Sequence, residues 1–264
     1  MFIVFIHLFQ INFGQTIEQY LDSASVKLIL NKYDQAISFY DSAIILNSKS
    51  SKAYYLRGLA KTYLPQRIGA LEDFDTSISI NPMYSEAYND RGIEKFILRQ
   101  YDSSITDFTK AIEINPQYSA AYLDRGNVKY YQKHYTQAKA DFTKAIKLDS
   151  RNFIAYHNRG YAKIDLKDYI GSISDFDSSI RISPSYWKAY FDEAIAYIEL
   201  ANYKKAIINF TKVIEIDPLN SDAFYNRGRL LVKTGQKSKA CIDLQKAKEL
   251  GNQDSVDMIK TNCK

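Results

Sequence analysis

The sequence is poor in the residues that interrupt helices and in those that build metal or disulfide frameworks. Its 264 residues include 10 glycines, 5 prolines, 2 cysteines and 3 histidines. So few glycines and prolines argue against a β-sandwich or a nucleotide-binding α/β sheet, because both need frequent turns or glycine-rich loops. The chain is nevertheless 46% hydrophobic and 25% charged, which is an ordinary globular composition. We therefore expect a folded, mainly helical protein.

The charges and the metal-ligand residues exclude several classes of function. The chain has 35 Lys and Arg against 30 Asp and Glu, without the basic run that marks a nucleic-acid surface. Two cysteines match no zinc spacing, and three histidines are too few for a transition-metal site. His134 and His157 have no visible acid–base partner, and no known catalytic motif occurs. We predict a non-enzymatic protein without metal, cofactor or nucleic-acid partner.

What the sequence does contain is an internal repeat of 34 residues. An arginine followed by glycine recurs at this step, at Arg57, Arg91, Arg125, Arg159 and Arg227, and is replaced once by Glu193-Ala194. A phenylalanine keeps the same step from Phe74 to Phe210. In register, repeats 1 to 7 span residues 17–50, 51–84, 85–118, 119–152, 153–186, 187–220 and 221–254.

Within each repeat, two amphipathic segments flank a short polar break, which predicts a pair of antiparallel helices. Small residues at positions 8 and 20 let the two helices approach closely, and a bulky residue at position 24 fills the seam. Proline near the end of four repeats stops the second helix. We expect a C-terminal capping helix over about 254–262 and pair turns near 31–33, 65–67, 99–101, 133–135, 167–169, 201–203 and 235–237.

These positions resemble the tetratricopeptide repeat family, whose pattern has an aromatic residue at position 4, small residues at 8, 20 and 27, an aromatic at 24 and Pro at 32. The chain departs from it at Ser48, Ser150, Glu193-Ala194 and Leu244. The resemblance implies an all-α, right-handed superhelical solenoid of antiparallel helix pairs. Residues 1–16 would be a hydrophobic N-terminal segment, 17–254 the repeats, and 255–264 a capping helix and tail. Position 4 is held by Tyr20, Tyr54, Tyr88, Tyr122, Tyr156, Tyr190 and Phe224.

The arginines at position 7 vary together with the residue at position 23. The five repeats with Arg carry Asp73, Asp107, Asp141, Asp175 and Asp243, whereas the two repeats without it carry Phe39 and Asn209. Both positions lie at a similar level of an antiparallel pair. We therefore predict an Arg–Asp ion pair between the two helices of a repeat, in preference to a row of ligand-binding arginines.

The resemblance also implies an interaction scaffold that holds a peptide or a partner-protein segment in a concave groove lined by positions 5, 9 and 12 of the first helices. No repeat has the Lys and Asn with which family members clamp a terminal carboxylate. We therefore expect an extended or helical segment anchored by hydrophobic side chains, with a few central aromatic residues of the groove carrying most of the affinity. Two alternatives stay open: an accessory subunit of an enzyme or cell-envelope assembly complex that binds through its outer face, and apolar residues of repeat 6 covered by their own packing. The predicted groove residues are Tyr55, Leu59, Asn89, Ile93, Phe96, Leu123, Asn127, Tyr130, His157, Tyr161, Phe191, Ile195, Tyr225 and Arg229.

The two ends of the chain bear on where the protein works. Residues 1–14 carry no charge and suit a signal-peptide core, although a basic flank is missing; the alternative is a hydrophobic cap on repeat 1. A signal peptide predicts export to the periplasm or the extracellular space, and a cap predicts a cytoplasmic protein. Cys241 and Cys263 are expected to meet at the C-terminal end, as a disulfide in an oxidising compartment and as free thiols in the cytosol.

Overall fold

The computed structural model describes residues 16–64 and 67–263. In these ranges it contains fifteen α-helices and no strand, and no helix is long and apolar enough to cross a membrane. The signal-peptide prediction for residues 1–14 lies outside the described residues. Contacts divide the chain between residues 128 and 129 into two compact units, and each is described by itself.

Twelve of the helices form six of the predicted pairs, each within one compact unit. The breaks between first and second helices lie where the repeat pattern predicts them, except that the turn of repeat 2 falls partly outside the described residues. The first helices are α1 Ile17–Ile29, α3 Ser51–Thr62, α5 Ser85–Ile97, α7 Ser119–Tyr131, α9 Phe153–Asp165, α11 Trp187–Glu199 and α13 Ser221–Lys233. The second helices are α2 Tyr33–Leu46, α4 Arg67–Ile80, α6 Tyr101–Ile114, α8 Tyr135–Leu148, α10 Tyr169–Ile182, α12 Tyr203–Ile216 and α14 Lys237–Glu249. The predicted capping helix is α15, Asp254–Asn262.

A left-handed residue at position 15 ends the first helix in most repeats. In repeat 3, Arg99 has φ 61°, its amide donates to the carbonyl of Phe96, and the amide of Gln100 donates to that of Lys95. This is the Schellman arrangement, which satisfies the last carbonyls of the helix. Glycine takes the position only in repeat 7, where Gly235 has φ 79°. The other left-handed residues at position 15 are Asn31, Lys133, Lys167 and Ala201.

The seam between the helices of a pair is packed as the small residues at positions 8 and 20 predict. A Cβ added to Gly92 would lie 2.8 Å from Cε1 of Phe108, so a larger residue cannot replace this glycine without moving the ring. Phe108 is 1% exposed. Ser104 at position 20 is fully buried, and its hydroxyl donates to the carbonyl oxygen of Gly92 at 2.7 Å. Close approach of the two helices thus depends on small residues on both.

Four of the five expected Arg–Asp pairs lie within a single compact unit, and all four are confirmed. In repeat 3, Nε and Nη2 of Arg91 donate to the two carboxylate oxygens of Asp107 at 2.9 and 2.6 Å. Nη1 makes a bond that the sequence did not predict, at 2.6 Å to Asp75 at position 25 of the preceding repeat. The guanidinium therefore joins the helices of one pair and also joins consecutive pairs. The other confirmed pairs are Arg57–Asp73, Arg159–Asp175 and Arg227–Asp243.

Repeat 6 replaces this ion pair by two residues without opposite charge. Glu193 and Asn209 occupy positions 7 and 23, and both are buried. Nδ2 of Asn209 donates to a carboxylate oxygen of Glu193 at 2.6 Å. The hydrogen bond between the helices is kept, while the arginine that reaches the preceding repeat is lost.

The C-terminal end is closed by α15, which packs against α14 and α13. Gly251, with φ 94°, follows the end of α14. Cys241 on α14 and Cys263 after α15 form a disulfide with a Cα–Cα distance of 5.6 Å, which is within the range that a disulfide can bridge. This covalent link ties the capping helix to the last repeat.

Candidate partner-binding face

The first helices of consecutive repeats lie next to each other in both compact units. α3 contacts α5 in the first unit, and α9 contacts α11 in the second. Side chains at positions 5, 9 and 12 of neighbouring repeats are thereby brought together on one surface. We call this surface the first-helix face and describe it separately for each unit.

In the first unit, the face is polar at its centre. The hydroxyl of Tyr55 at position 5 donates to Asp90 Oδ2 at 2.8 Å, and Nδ2 of Asn89 donates to Asp124 Oδ2 at 3.3 Å. The second unit repeats the pattern, since Nε2 of His157 lies 2.7 Å from Asp192 Oδ2. In each case position 5 of one repeat contacts position 6 of the next.

The aspartates at position 6 are residues of the first-helix face that the sequence analysis missed. Asp90 and Asp124 stand directly before the recurring arginine, and Asp192 stands before the Glu193 that replaces it, but no role was predicted for any of them. The separation of 35 between each bonded pair is the signal that could have found them, because a search for equal positions at a step of 34 passes over it.

Burial and mutual repulsion perturb the acidic groups of the first unit. Burial, and then the charge of Asp90, raises the pKa of Asp124 to about 6. Burial likewise raises the pKa of Asp90, and Glu86 adds to that rise by its charge. The pKa of the Tyr84 hydroxyl is raised to about 12, first by burial and then by the charges of Glu86 and Asp90. This part of the face therefore has a concentrated negative charge.

The remaining predicted residues of the first unit, four apolar residues and one asparagine, flank this polar centre. All of them are half-buried, so they support the face and keep part of their surface accessible. The ring of Phe96 lies 5.8 Å from that of Tyr101 on the second helix of its own repeat. The flank residues are Leu59, Ile93, Phe96, Leu123 and Asn127.

In the second unit, the face is a continuous row of aromatic rings. The ring centroids of Tyr130 and Tyr161 are 5.5 Å apart, and those of Tyr161 and His157 are 6.3 Å apart. The edge of the Tyr186 ring meets His157 at 5.1 Å. The hydroxyl of Tyr130 donates to Asp165. Tyr161 keeps 42% of its surface exposed, whereas His157 is only 8% exposed.

Repeat 6 belongs partly to the core instead of the face. The ring of Phe191 meets the fully buried Phe210 edge-on at 5.2 Å and that of Trp187 at 6.3 Å. Ile195 is half-buried against the same buried cluster. These contacts favour the alternative in which the apolar residues of this repeat are covered by their own packing. In repeat 7, the guanidinium of Arg229 lies over the ring of Tyr225 at 5.8 Å, and Arg229 is exposed.

Family models described as tetratricopeptide repeat match four stretches of the chain. They cover residues 85–118, 123–186, 187–220 and 209–242. A search of curated protein sequences found no match.

Solved structures of the same class resemble the chain over most of its length. The C-terminal part of a tetratricopeptide repeat protein from Cytophaga hutchinsonii is 19% identical, with a TM-score of 0.70 that covers 90% of this chain and 98% of its own. A protein from Parabacteroides merdae is 18% identical, with a TM-score of 0.66 over 95% and 100% of the two chains. YrrB, described as having an unusual peptide-binding site, is 22% identical, with a TM-score of 0.62 over 72% and 99%. At these identities the likeness shows the fold alone.

Proposed function

Since this chain belongs to the tetratricopeptide repeat family, whose fold is a protein-interaction scaffold, we propose that it binds a segment of a partner protein on its first-helix face. Binding is non-catalytic and uses aromatic and aliphatic side chains of that face as anchors. The segment is extended or helical, because either form presents side chains at a spacing that adjacent helices can hold.

The observation that carries this proposal is the exposed ring of Tyr161. It is 42% exposed although it lies in a row of aromatic contacts with Tyr130 and His157. An aromatic ring that is held in place by its neighbours loses little side-chain entropy when a partner covers it, and such residues commonly dominate binding energy.

Site-specific crosslinking tests which face the partner contacts. A photoreactive phenylalanine analogue at position 161 is compared with the same analogue at position 170, in cells that produce the full chain. Ile170 belongs to the same repeat, is 76% exposed and lies on the second helix α10. We expect position 161 to crosslink to a defined segment of a partner and position 170 to give none. Crosslinks from position 170 alone would support the outer-face alternative and contradict the proposal.

The same two positions give matched alanine variants for affinity measurement. Tyr161→Ala should weaken binding of the crosslinked segment, made as a synthetic peptide, by about 2 kcal/mol, the level typical of a central aromatic anchor. Ile170→Ala should leave the affinity unchanged. The melting temperature of both variants should stay close to that of the parent protein, since both side chains are exposed. Phe191→Ala is the less informative variant, because its ring packs on Phe210 and its loss weakens the core.

We also propose that the protein is exported. The uncharged segment at residues 1–14 and the Cys241–Cys263 disulfide at the opposite end support this location. Mass analysis of protein that is prepared from its native compartment and treated with a thiol-labelling reagent tests the proposal. We expect neither cysteine to be labelled, because both are in the disulfide, and labelling of both would contradict the proposal.

A further inference from the structure

Two carboxylates on the first-helix face of the first unit are not neutralised by any basic residue. Asp90 and Asp124 are half-buried, and neither forms an ion pair with Lys or Arg in the described part of the chain. Asp107, the aspartate in the seam of the repeat that contains Asp90, differs from them because it forms ion pairs with both Arg91 and Lys95 within 2.8 Å. Repeat 3 therefore neutralises its structural aspartate and leaves the aspartate on its face without a counter-charge.

A buried amide joins the two carboxylates and has an unused acceptor. Asn89 is 2% exposed, and its Nδ2 donates to Asp124 at 3.3 Å and to Asp90 at 3.5 Å. Its Oδ1 is buried and accepts no hydrogen bond from any residue that the structure describes. An unpaired buried acceptor is unfavourable, so a donor that reaches it gains stabilisation. That oxygen belongs to the same amide that contacts both carboxylates, so one donor-rich group can address all three.

Tyrosine side chains complete the surroundings of these groups. The hydroxyl of Tyr55 donates to Asp90, and its ring centroid lies 4.8 Å from that of Tyr84. Burial, followed by the charges of Asp90, Glu86 and Asp124, raises the pKa of the Tyr118 hydroxyl. Tyrosine faces attract cations, and here they border two carboxylates. The chemistry of the cluster is therefore complementary to a positively charged hydrogen-bond donor.

We propose that this acidic cluster, formed by Tyr55, Asn89, Asp90 and Asp124, binds the charged end of a lysine or arginine side chain of the partner segment. An ammonium offers three donors and a guanidinium five, with no acceptor, which fits two carboxylates and an amide oxygen. A metal ion fits less well, because no group of three or more His, Cys, Asp or Glu in the described residues could hold one. This inference rests on the proposed function, since the basic residue is part of the bound segment.

A random library of displayed decapeptides, selected on the purified full chain, tests the inference. We expect the bound peptides to be enriched in Lys or Arg at one position relative to apolar anchors. A selected peptide is then compared with its copy in which norleucine replaces that basic residue. The exchange should weaken binding to the parent protein by about tenfold, which corresponds to about one charged hydrogen-bonded contact.

Asp90→Asn with Asp124→Asn removes both charges while it keeps the shape of the side chains. The repeat accepts asparagine at this position, because Asn158 and Asn226 stand there in repeats 5 and 7. Asp254→Asn with Asp257→Asn is the matched control, since it removes two exposed charges from α15. We expect the norleucine exchange to have less than about a twofold effect on the face variant and its full effect on the control. Each single variant should fall between the two.

The outcomes separate this inference from the proposed function. Peptides that bind without basic enrichment, or with the same enrichment on the Asp90→Asn/Asp124→Asn variant, overturn the acidic cluster as a cation site and leave segment binding intact. Failure to select any peptide on the folded parent protein counts against segment binding itself and against the inference with it. Melting curves of the variants establish that the proteins compared are folded.

Discussion

Repeats 3 and 6 form the same kind of helix pair but join its two helices by different side chains at positions 7 and 23. In repeat 3, Arg91 bonds Asp107 across the pair and Asp75 in the preceding repeat. In repeat 6, Glu193 stands in the place of the arginine, bonds Asn209 and faces Asp177 at position 25 of the preceding repeat. Burial, and then the charge of Asp177, raises the pKa of Glu193 to about 8. The contact between positions 7 and 25 of consecutive repeats is thus attractive for Arg91 and Asp75. It is repulsive for Glu193 and Asp177 when both carboxyls are ionised.

The difference shows that the fold requires a hydrogen bond between positions 7 and 23 more strictly than it requires an ion pair. Both repeats place these side chains in the seam and join them there by hydrogen bonds, although one carboxylate oxygen of Glu193 is buried without a partner among the described residues. Only the arginine also supplies a bond to the neighbouring repeat. We therefore expect the contact of repeat 6 with the preceding repeat to weaken when Glu193 ionises.

The largest expected effect comes from breaking the ion pair of repeat 3. Arg91→Ala leaves Asp107, which is 3% exposed, with Lys95 as its remaining charged partner, and it removes the bond to Asp75. Loss of one partner of a buried pair costs several kcal/mol, so we expect the free energy of unfolding to fall by about 3 kcal/mol. Urea denaturation followed by circular dichroism measures this change.

The control for this variant is Arg181→Ala, which removes an exposed arginine from α10. It should change the free energy of unfolding by less than about 0.5 kcal/mol. Arg91→Ala should also leave the choice of partner segment unchanged, because the arginine acts between helices and not on the first-helix face. A loss below about 1 kcal/mol, or a change of partner, would mean that the pair has another role.

Glu193→Gln sharpens the comparison from the side of repeat 6, and its effect depends on pH. A carboxyl whose pKa is higher in the folded than in the unfolded chain binds its proton more tightly when folded, so stability falls as pH rises from about 4.5 to about 8. Glutamine cannot ionise. We expect the variant to match the parent protein at pH 5 and to be more stable by roughly 2 kcal/mol at pH 9, by urea denaturation at each pH.

Glu215→Gln is the matched control, because it removes an exposed carboxylate from α12 in the same repeat. Its difference from the parent protein should stay small and nearly constant over the same pH range. The raised pKa values of Asp90 and Asp124 also contribute to the pH dependence of the parent. They remain in both variants, so the difference isolates Glu193. A Glu193→Gln profile parallel to that of the parent would contradict the repulsion with Asp177.

The repeat pattern predicted the pair turns in the described residues and the capping helix because hydrophobic spacing is a local property of the sequence. The ion pair across the seam of the repeats that carry Arg was also predictable, since Arg and Asp vary together within one repeat. The hydrogen bond from Nη1 of Arg91 to the preceding repeat was not predicted, because position 25 holds Asp in some repeats and Thr in others, as at Asp75 and Thr143. Both residues accept a hydrogen bond, so their shared role is hidden by their different charge.

The contacts of the first-helix face were predicted less completely for a geometric reason. Neighbouring first helices lie side by side with an offset, so position 5 of one repeat meets position 6 of the next, as Tyr55 meets Asp90. A comparison of equal positions cannot show this offset. Apolar spacing also does not distinguish an exposed aromatic side chain from a half-buried one. Phe191, which packs on Phe210, was therefore predicted as a groove residue in the same way as the exposed Tyr161.

The smallest expected effect concerns the one place where repeats 3 and 6 agree, the left-handed residue that ends the first helix. Arg99 and Ala201 have φ 61° and 55°, although neither is glycine. A left-handed conformation costs an L-residue roughly 1–2 kcal/mol, and glycine removes this cost. Part of the resulting gain in stability is lost, because glycine also makes the unfolded chain more flexible. Arg99→Gly and Ala201→Gly should each raise the free energy of unfolding by about 0.5–1 kcal/mol, measured by urea denaturation.

Gly235→Ala should lower the free energy of unfolding by a similar amount, because a Cβ there meets nothing within 4 Å and only the backbone conformation, with φ 79°, is disfavoured. If the two glycine variants differ in sign, the turns of repeats 3 and 6 are not equivalent, and the contrast between these repeats extends beyond positions 7 and 23.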